Sequence, residues 1–148
     1  MARTYFDTGA LVKLYILEPS SAWVQRKAKA ASSIPLNQLQ EAELRNAVYA
    51  AAGRRVLSAP AAQRALAHLD ADIRQGVLAM ELPPWPAVWQ RAAHLARLHT
   101  PRLLCRTLDV LHVAAAEACG ADLVVTGDQR QFRLCQALGI PAARVPVS

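Results

Sequence analysis

Short apolar runs alternate with longer segments of helical periodicity along this chain. The pattern predicts strands at residues 3–6, 32–36, 77–82, 121–126 and 140–147. It predicts helices at residues 10–15, 21–31, 38–53, 58–75, 87–99, 108–119 and 130–138, with a loop at 100–106. Strands that alternate with helices favour an α/β fold, with a central parallel sheet of four to five strands and helices on both faces.

The length and composition predict one globular domain spanning residues 1–148. No linker, repeat or low-complexity segment divides the chain, and no apolar run approaches the roughly 20 residues that cross a bilayer. The first residues do not resemble a signal peptide, so we expect a cytoplasmic protein with no membrane partner. The three cysteines form no pair at metal-ligand spacing and are expected to be free thiols.

The formal net charge of +6 favours a polyanionic partner, although the effect is weak by itself. Many of the basic residues are scattered arginines, and arginine and alanine are also frequent in proteins from GC-rich genomes. Charge alone therefore leaves nucleic-acid binding open.

Four acidic residues occupy positions that suit a functional site. Asp7 directly follows the first predicted strand and Asp128 follows the strand that ends at Thr126, so both are expected at the carboxyl edge of a parallel sheet, where such folds bind ligands. Asp109 lies in the first turn of a helix, and Glu43 lies inside a helix with apolar neighbours. Each also has an ordinary structural explanation, as an N-cap, a helix-dipole partner, a turn residue or a solvated position.

A cluster of carboxylates predicts a particular chemistry. Like charges at close range repel unless a cation neutralises them, and all-oxygen ligand sets suit Mg²⁺ or Mn²⁺. Such ions can activate water and bind the oxygens of a phosphodiester. Serine-triad, Walker and dinucleotide-binding motifs are absent from the sequence.

At these acids the sequence resembles the PIN-domain family, and within it the VapC-type toxin ribonucleases of toxin–antitoxin pairs. The resemblance is carried by four segments in order, YFDTGALVKLY at residues 5–15, AELRNA at 42–47, LDVLHVAAA at 108–116 and ADLVVTGD at 121–128, followed by ALGI at 137–140. It extends over nearly the whole chain, although residues 55–100 carry no motif.

The resemblance implies a role for each acid. Asp7 and Asp109 would be the principal ligands of Mg²⁺ or Mn²⁺, while Glu43 and Asp128 would complete the acidic pocket and help to position or deprotonate water. Thr126, and also Thr8, would hydrogen-bond to the carboxylates or to the waters of the metal ion.

The resemblance also implies an activity and partners. The reaction would be hydrolysis of single-stranded RNA to 5′-phosphate and 3′-hydroxyl ends, by a homodimer that a cognate antitoxin inhibits. Arginines at the rim of the pocket would help RNA binding, and Arg106 and Arg130 are the best candidates because each flanks one of the acids in sequence.

Three alternative interpretations remain. A catalytically silent PIN-like binding module is the first of them. A receiver-type phosphoacceptor domain would need an acidic pair after the first strand and a lysine after the last, and residues 139–148 contain no lysine. A haloacid-dehalogenase-type phosphatase would need a second Asp where Gly9 stands. His112, one turn after Asp109, is interpreted as a structural hydrogen-bonding residue.

Overall fold

The computed structural model describes residues 2–147 and has a four-stranded parallel sheet at its centre. The strands are β1 (Ala2–Phe6), β2 (Ala31–Ser33), β5 (Leu123–Thr126) and β6 (Ala142–Arg144), in the spatial order β2-β1-β5-β6. A separate parallel pair is formed by β3 (Pro35–Leu36) and β4 (Ala79–Met80). The predicted fold class is confirmed.

Helices cover both faces of the sheet. They are α1 (Thr8–Leu11), continued by a 3-10 turn (Val12–Leu14), α2 (Ser21–Ala30), α3 (Gln38–Gly53), α4 (Ala59–Arg74), α5 (Trp85–Leu103), α6 (Thr107–Ala118) and α7 (Gln129–Leu138). Within residues 2–147 none of these helices is both long and apolar enough to cross a membrane.

Alternation along the central strands divides the core between the two faces. Tyr5 and Val124 are paired in register and pack with α5, α6 and α7. Phe6 and Val125, one residue further on, are fully buried on the opposite face with side chains from α2, α3 and α4. Because successive side chains of a strand point to opposite faces, two neighbouring residues hold two separate layers of helices.

Three predicted strands and one predicted loop were clearly wrong in extent. Residues 32–36 divide into β2 and β3, which belong to different sheets, only two residues of 77–82 form a strand, and only three residues of 140–147 do so. The predicted loop at 100–106 is largely helical, because α5 continues through Pro101 to Leu103. Proline removes one backbone donor but does not end this helix; the helix ends at Leu104, which adopts a left-handed conformation and donates its N–H to the Thr100 carbonyl.

Candidate active site

The carboxyl ends of β1 and β5 place Asp7 and Asp128 at one edge of the sheet. Asp7 is the N-cap of α1 and Asp128 is the N-cap of α7. β1 and β5 are parallel neighbours, so their ends meet, and the Asp7 N–H donates to the Val125 carbonyl at 2.9 Å. In both residues Oδ1 accepts backbone N–H groups of the helix, and Oδ2 accepts from another side chain. Capping a helix and lining a functional site are therefore compatible roles for each carboxylate.

All four predicted acids, Asp7, Glu43, Asp109 and Asp128, line one cavity of about 560 Å³ at this edge, called the acid cavity below. Asp7 and Asp109 are buried, whereas the side chains of Asp128 and Glu43 are 21% and 26% exposed. The four residues come from four different elements, two strand ends and the helices α3 and α6. Glu43, which nothing local in the sequence distinguishes from a solvated glutamate, faces the same cavity as the other three.

The two predicted threonines contact carboxylates. The Thr126 hydroxyl donates to Asp7 Oδ2 and accepts the Asp128 N–H at 2.9 Å, so it connects the two strand-end acids. The Thr8 hydroxyl donates to Glu43 Oε1 at 2.8 Å. These bonds hold three of the four carboxyl-bearing residues in fixed orientations.

Arg106 contacts two of the acids. Its Nη2 donates to Asp128 Oδ2 at 2.7 Å, and its Nε donates to Asp109 Oδ2 at 3.3 Å. The Arg106 backbone N–H also donates to Asp109 Oδ2 at 2.8 Å, at the start of α6. The side chain of Arg106 is 66% exposed, so its guanidinium lies at the rim of the cavity.

Arg130 lies in a different environment. Its backbone N–H donates to Asp128 Oδ1 at 2.7 Å, but its side chain is exposed and lines a neighbouring depression beside Arg133. The two predicted RNA contacts therefore lie on different surfaces next to the acids.

The environments of Asp7 and Glu43 shift their pKa values in opposite directions. Burial raises the pKa of Asp7 above its usual range, against the lowering effect of its hydrogen bond from Thr126. Burial also acts to raise the pKa of Glu43, but hydrogen bonds from His112 and Thr8 outweigh it and lower the pKa of Glu43. Hydrogen bonds to Asp7 thus offset the effect of its burial only in part, whereas those to Glu43 outweigh it.

Sequence reasoning missed Gln131, which lies three residues after Asp128 in the first turn of α7. Its Nε2 donates to Asp109 Oδ1 at 3.3 Å, and its side chain is 5% exposed. Its Oε1 is buried and has no hydrogen-bond partner among residues 2–147. The only sequence signal was the helical spacing from Asp128.

The residues present suit a hard divalent cation. Four carboxylates line the cavity against two cationic side chains, and one of those, Lys13, is bonded to Glu18. The unpartnered Gln131 Oε1 adds a further acceptor that needs a donor. Within residues 2–147 no three His, Cys, Asp or Glu side chains converge closely enough to hold a metal ion by themselves. This arrangement suits Mg²⁺, which usually binds one or two carboxylates and keeps several waters as donors.

Comparisons with known proteins agree with this geometry. The PIN domain family matches residues 4–136. The chain is 29% identical to Ribonuclease VapC46 of Mycobacterium tuberculosis (strain ATCC 25618 / H37Rv) over 150 residues, which cover 95% of each protein.

Two solved structures share the fold. One is DNA-bound VapBC from Salmonella typhimurium, with a TM-score of 0.63, 20% identity and coverage of 99% of this chain and 100% of that one. The other is VapBC2 from Rickettsia felis bound to a promoter DNA fragment, with a TM-score of 0.64, 18% identity and coverage of 97% and 98%. With the family match over most of its length and a VapC ribonuclease as its homologue, the chain belongs to the PIN-domain family.

Proposed function

We propose that this protein is an endoribonuclease that hydrolyses RNA phosphodiester bonds with the help of Mg²⁺ or Mn²⁺. The observation that carries the proposal is the excess of negative charge in one cavity, where four carboxylates face two cationic side chains. A site built in this way is stable only if a cation or its waters supply the missing positive charge and donors. The homology to Ribonuclease VapC46 supports RNA as the substrate.

Asp7 and Asp109 would hold the cation, directly or through water, because they are the two most buried carboxylates of the cavity. A divalent ion bound there would lower the pKa of a bound water and neutralise charge on the scissile phosphate. Thr126 and the start of α1 hold Asp7 in one orientation, and Gln131 does the same for Asp109. This preorganisation removes side-chain freedom before the substrate arrives.

Glu43 and Asp128 would complete the pocket and orient the attacking water. The lowered pKa of Glu43 keeps it a carboxylate at neutral pH. Both of its described hydrogen bonds reach Oε1, and among residues 2–147 Oε2 accepts none. Oε2 is therefore available to accept a proton from water in the cavity.

RNA would reach this negative cavity through the basic residues around it. Arg106 lies at the rim with most of its guanidinium exposed, and Arg130 and Arg133 line the adjacent depression. Arginine binds phosphate oxygens in a bidentate manner and offsets the repulsion between carboxylates and the RNA backbone.

We also propose that the protein is the toxin of a toxin–antitoxin pair and acts as a homodimer. The structural neighbours are VapBC assemblies, which supports a cognate antitoxin as partner. Light scattering of the purified protein, with and without the product of the gene immediately upstream, measures both associations. A monomer that forms no complex with that product would contradict this part of the proposal.

Cleavage of labelled single-stranded RNA by purified, antitoxin-free protein tests the enzymatic proposal. We expect cleavage with Mg²⁺ or Mn²⁺, none with EDTA, and products that carry 5′-phosphate and 3′-hydroxyl ends. Asp7→Asn should abolish cleavage while the circular dichroism spectrum stays the same. Protein that binds RNA but cuts none with either ion would instead indicate the silent PIN-like binding module.

A further inference from the structure

A chain of buried hydrogen bonds leads from the start of α3 to the carboxylate of Glu43. Asn37 Nδ2 donates to the Tyr5 hydroxyl at 3.3 Å, and the Tyr5 hydroxyl lies 2.8 Å from His112 Nδ1. His112 Nε2 lies 2.6 Å from Glu43 Oε1. Asn37, Tyr5 and His112 are all at least 95% buried, so no described surface group competes for these bonds.

The direction of this chain follows from its first member. Asn37 is the N-cap of α3, and its Oδ1 accepts the Gln40 backbone N–H at 2.9 Å. A backbone N–H can only donate, so Oδ1 must face Gln40 and Nδ2 must face Tyr5. The amide orientation is therefore determined by the helix cap.

The remaining protons are then determined in turn. The Tyr5 oxygen accepts from Asn37, so its single proton is directed to His112 Nδ1. Nδ1 must accept, so the proton of a neutral His112 is on Nε2 and is donated to Glu43 Oε1.

We infer that Asn37, Tyr5 and His112 are positioning residues that hold His112 in the Nε2-protonated form and thereby orient Glu43 in the acid cavity. This inference rests on the proposed function, since it assigns Glu43 a role in that site. His112 lines the acid cavity, whereas Tyr5 and Asn37 line a separate cavity. Glu43 is part of α3, and the N-cap of the same helix, Asn37, thus also orients the Glu43 carboxylate through the hydrogen bonds of Tyr5 and His112.

The tautomer of His112 is a direct readout that needs neither metal nor substrate. A long-range ¹H–¹⁵N correlation spectrum of the full chain, with the His112 signals assigned from His112→Gln, distinguishes the two ring nitrogens. We expect a protonated Nε2 and an unprotonated Nδ1 in the wild type, and a mixture of both tautomers in Tyr5→Phe. A protonated Nδ1 in the wild type would overturn the inference.

Metal affinity and kinetics separate positioning from general stability. We expect Tyr5→Phe to weaken Mn²⁺ binding and to lower kcat roughly three- to tenfold, with the KM for RNA unchanged. His112→Leu should lower the Mn²⁺ affinity and kcat about 10- to 100-fold each. His112→Gln can still donate to Glu43 and should recover most of this loss.

Tyr15→Phe is the matched control. The Tyr15 hydroxyl donates to Asp72 at 2.7 Å, and neither residue lines the acid cavity, so the control removes a tyrosine hydrogen bond elsewhere in the fold. If Tyr5→Phe and Tyr15→Phe have the same Mn²⁺ affinity, kcat and His112 tautomer, the inference is wrong. A wild type that neither binds Mn²⁺ nor cleaves RNA would reject the proposed function instead, while the tautomer would still decide whether the hydrogen-bond chain exists.

Discussion

The two ends of β1 each carry a cluster of charged side chains, and the clusters differ in balance. At the amino end, Arg3 Nη2 pairs with both carboxylate oxygens of Glu81, and its Nε donates to the Cys119 carbonyl at 2.7 Å. At the carboxyl end, Asp7 joins three other acids with fewer cations than carboxylates. The first cluster pairs its arginine with a carboxylate, whereas the second has an excess of negative charge.

This difference in charge balance distinguishes charged residues that stabilise the fold from those expected to have a function. A paired and hydrogen-bonded ion, such as Arg3, contributes to folding without further partners. An unbalanced group of carboxylates destabilises the fold by itself, and under the proposed function a bound cation would supply the opposite charge. The following substitutions test this contrast.

The largest expected effect is on catalysis. Asp109→Asn keeps the size of the side chain but removes a charge from the acid cavity, so RNA cleavage should fall about 10³-fold. Glu81→Gln removes one charge from the balanced cluster and should leave kcat within twofold of the wild type. Initial rates on labelled RNA measure both, and equal losses in the two variants would show that the clusters do not differ in function.

Metal binding should stabilise only the unbalanced cluster. With Mn²⁺ at 100 times its Kd, the folded state gains about 2.7 kcal/mol, which corresponds to a rise in Tm of roughly 5–10 °C for a chain of this size. Differential scanning calorimetry with Mn²⁺ and with EDTA measures the shift. Asp7→Asn should abolish the rise and Glu81→Gln should keep it; a rise of equal size in Asp7→Asn would place the ion elsewhere.

Without metal, removal of the Asp7 charge should stabilise the protein. Burial raises the pKa of Asp7 in the folded state, so the wild type loses stability as the pH rises from the unfolded carboxyl pKa, near 3.9, through the folded value. Asp7→Asn removes this loss, and its Oδ1 can still accept the Ala10 N–H. We expect a Tm about 3 °C above that of the wild type at neutral pH in EDTA, and a smaller difference at pH 4. An Asp7→Asn variant less stable than the wild type under both conditions would contradict this account.

The balanced cluster should respond in the opposite direction. Glu81→Gln leaves Arg3 without its charged partner, and both side chains are partly exposed, so the cost should be about 1 kcal/mol or less. Thermal unfolding should show a Tm lowered by roughly 2–4 °C, independent of EDTA. A stabilised Glu81→Gln would mean that this cluster, too, has uncompensated charge.

The smallest effect concerns Arg106, which links the acid cavity to its surroundings. Its guanidinium donates to Asp109 and Asp128, so Arg106→Ala should strengthen Mn²⁺ binding by roughly threefold while the KM for RNA rises by a similar factor. Mn²⁺ titration and steady-state kinetics separate the two effects. Arg102→Ala, an exposed arginine outside the cavity, is the control, and identical behaviour of the two variants would remove Arg106 from the site.

Much of the secondary structure was predictable because it depends on local pattern. α3 spans the residues that the sequence predicted: Asn37 caps its start, Gly53 is its last residue and Arg54 is its C-cap. α5 was predicted too short, because its continuation past Pro101 depends on the packing of Leu103 against the core. β3 and β4, of two residues each, have no periodicity to detect, and only their pairing with each other defines them.

The sequence by itself determined the α/β fold and the two strand-end acids, because strand alternation and the position after a parallel strand are local features. Only the tertiary structure decided that Glu43 faces the same cavity, and that Tyr5 and Asn37 reach it through His112. Tyr5 and His112 lie 107 positions apart, and Glu43 and His112 lie 69 apart. Contacts at such separations arise from the packing of α3 and α6 against the sheet, which no local pattern of residues encodes.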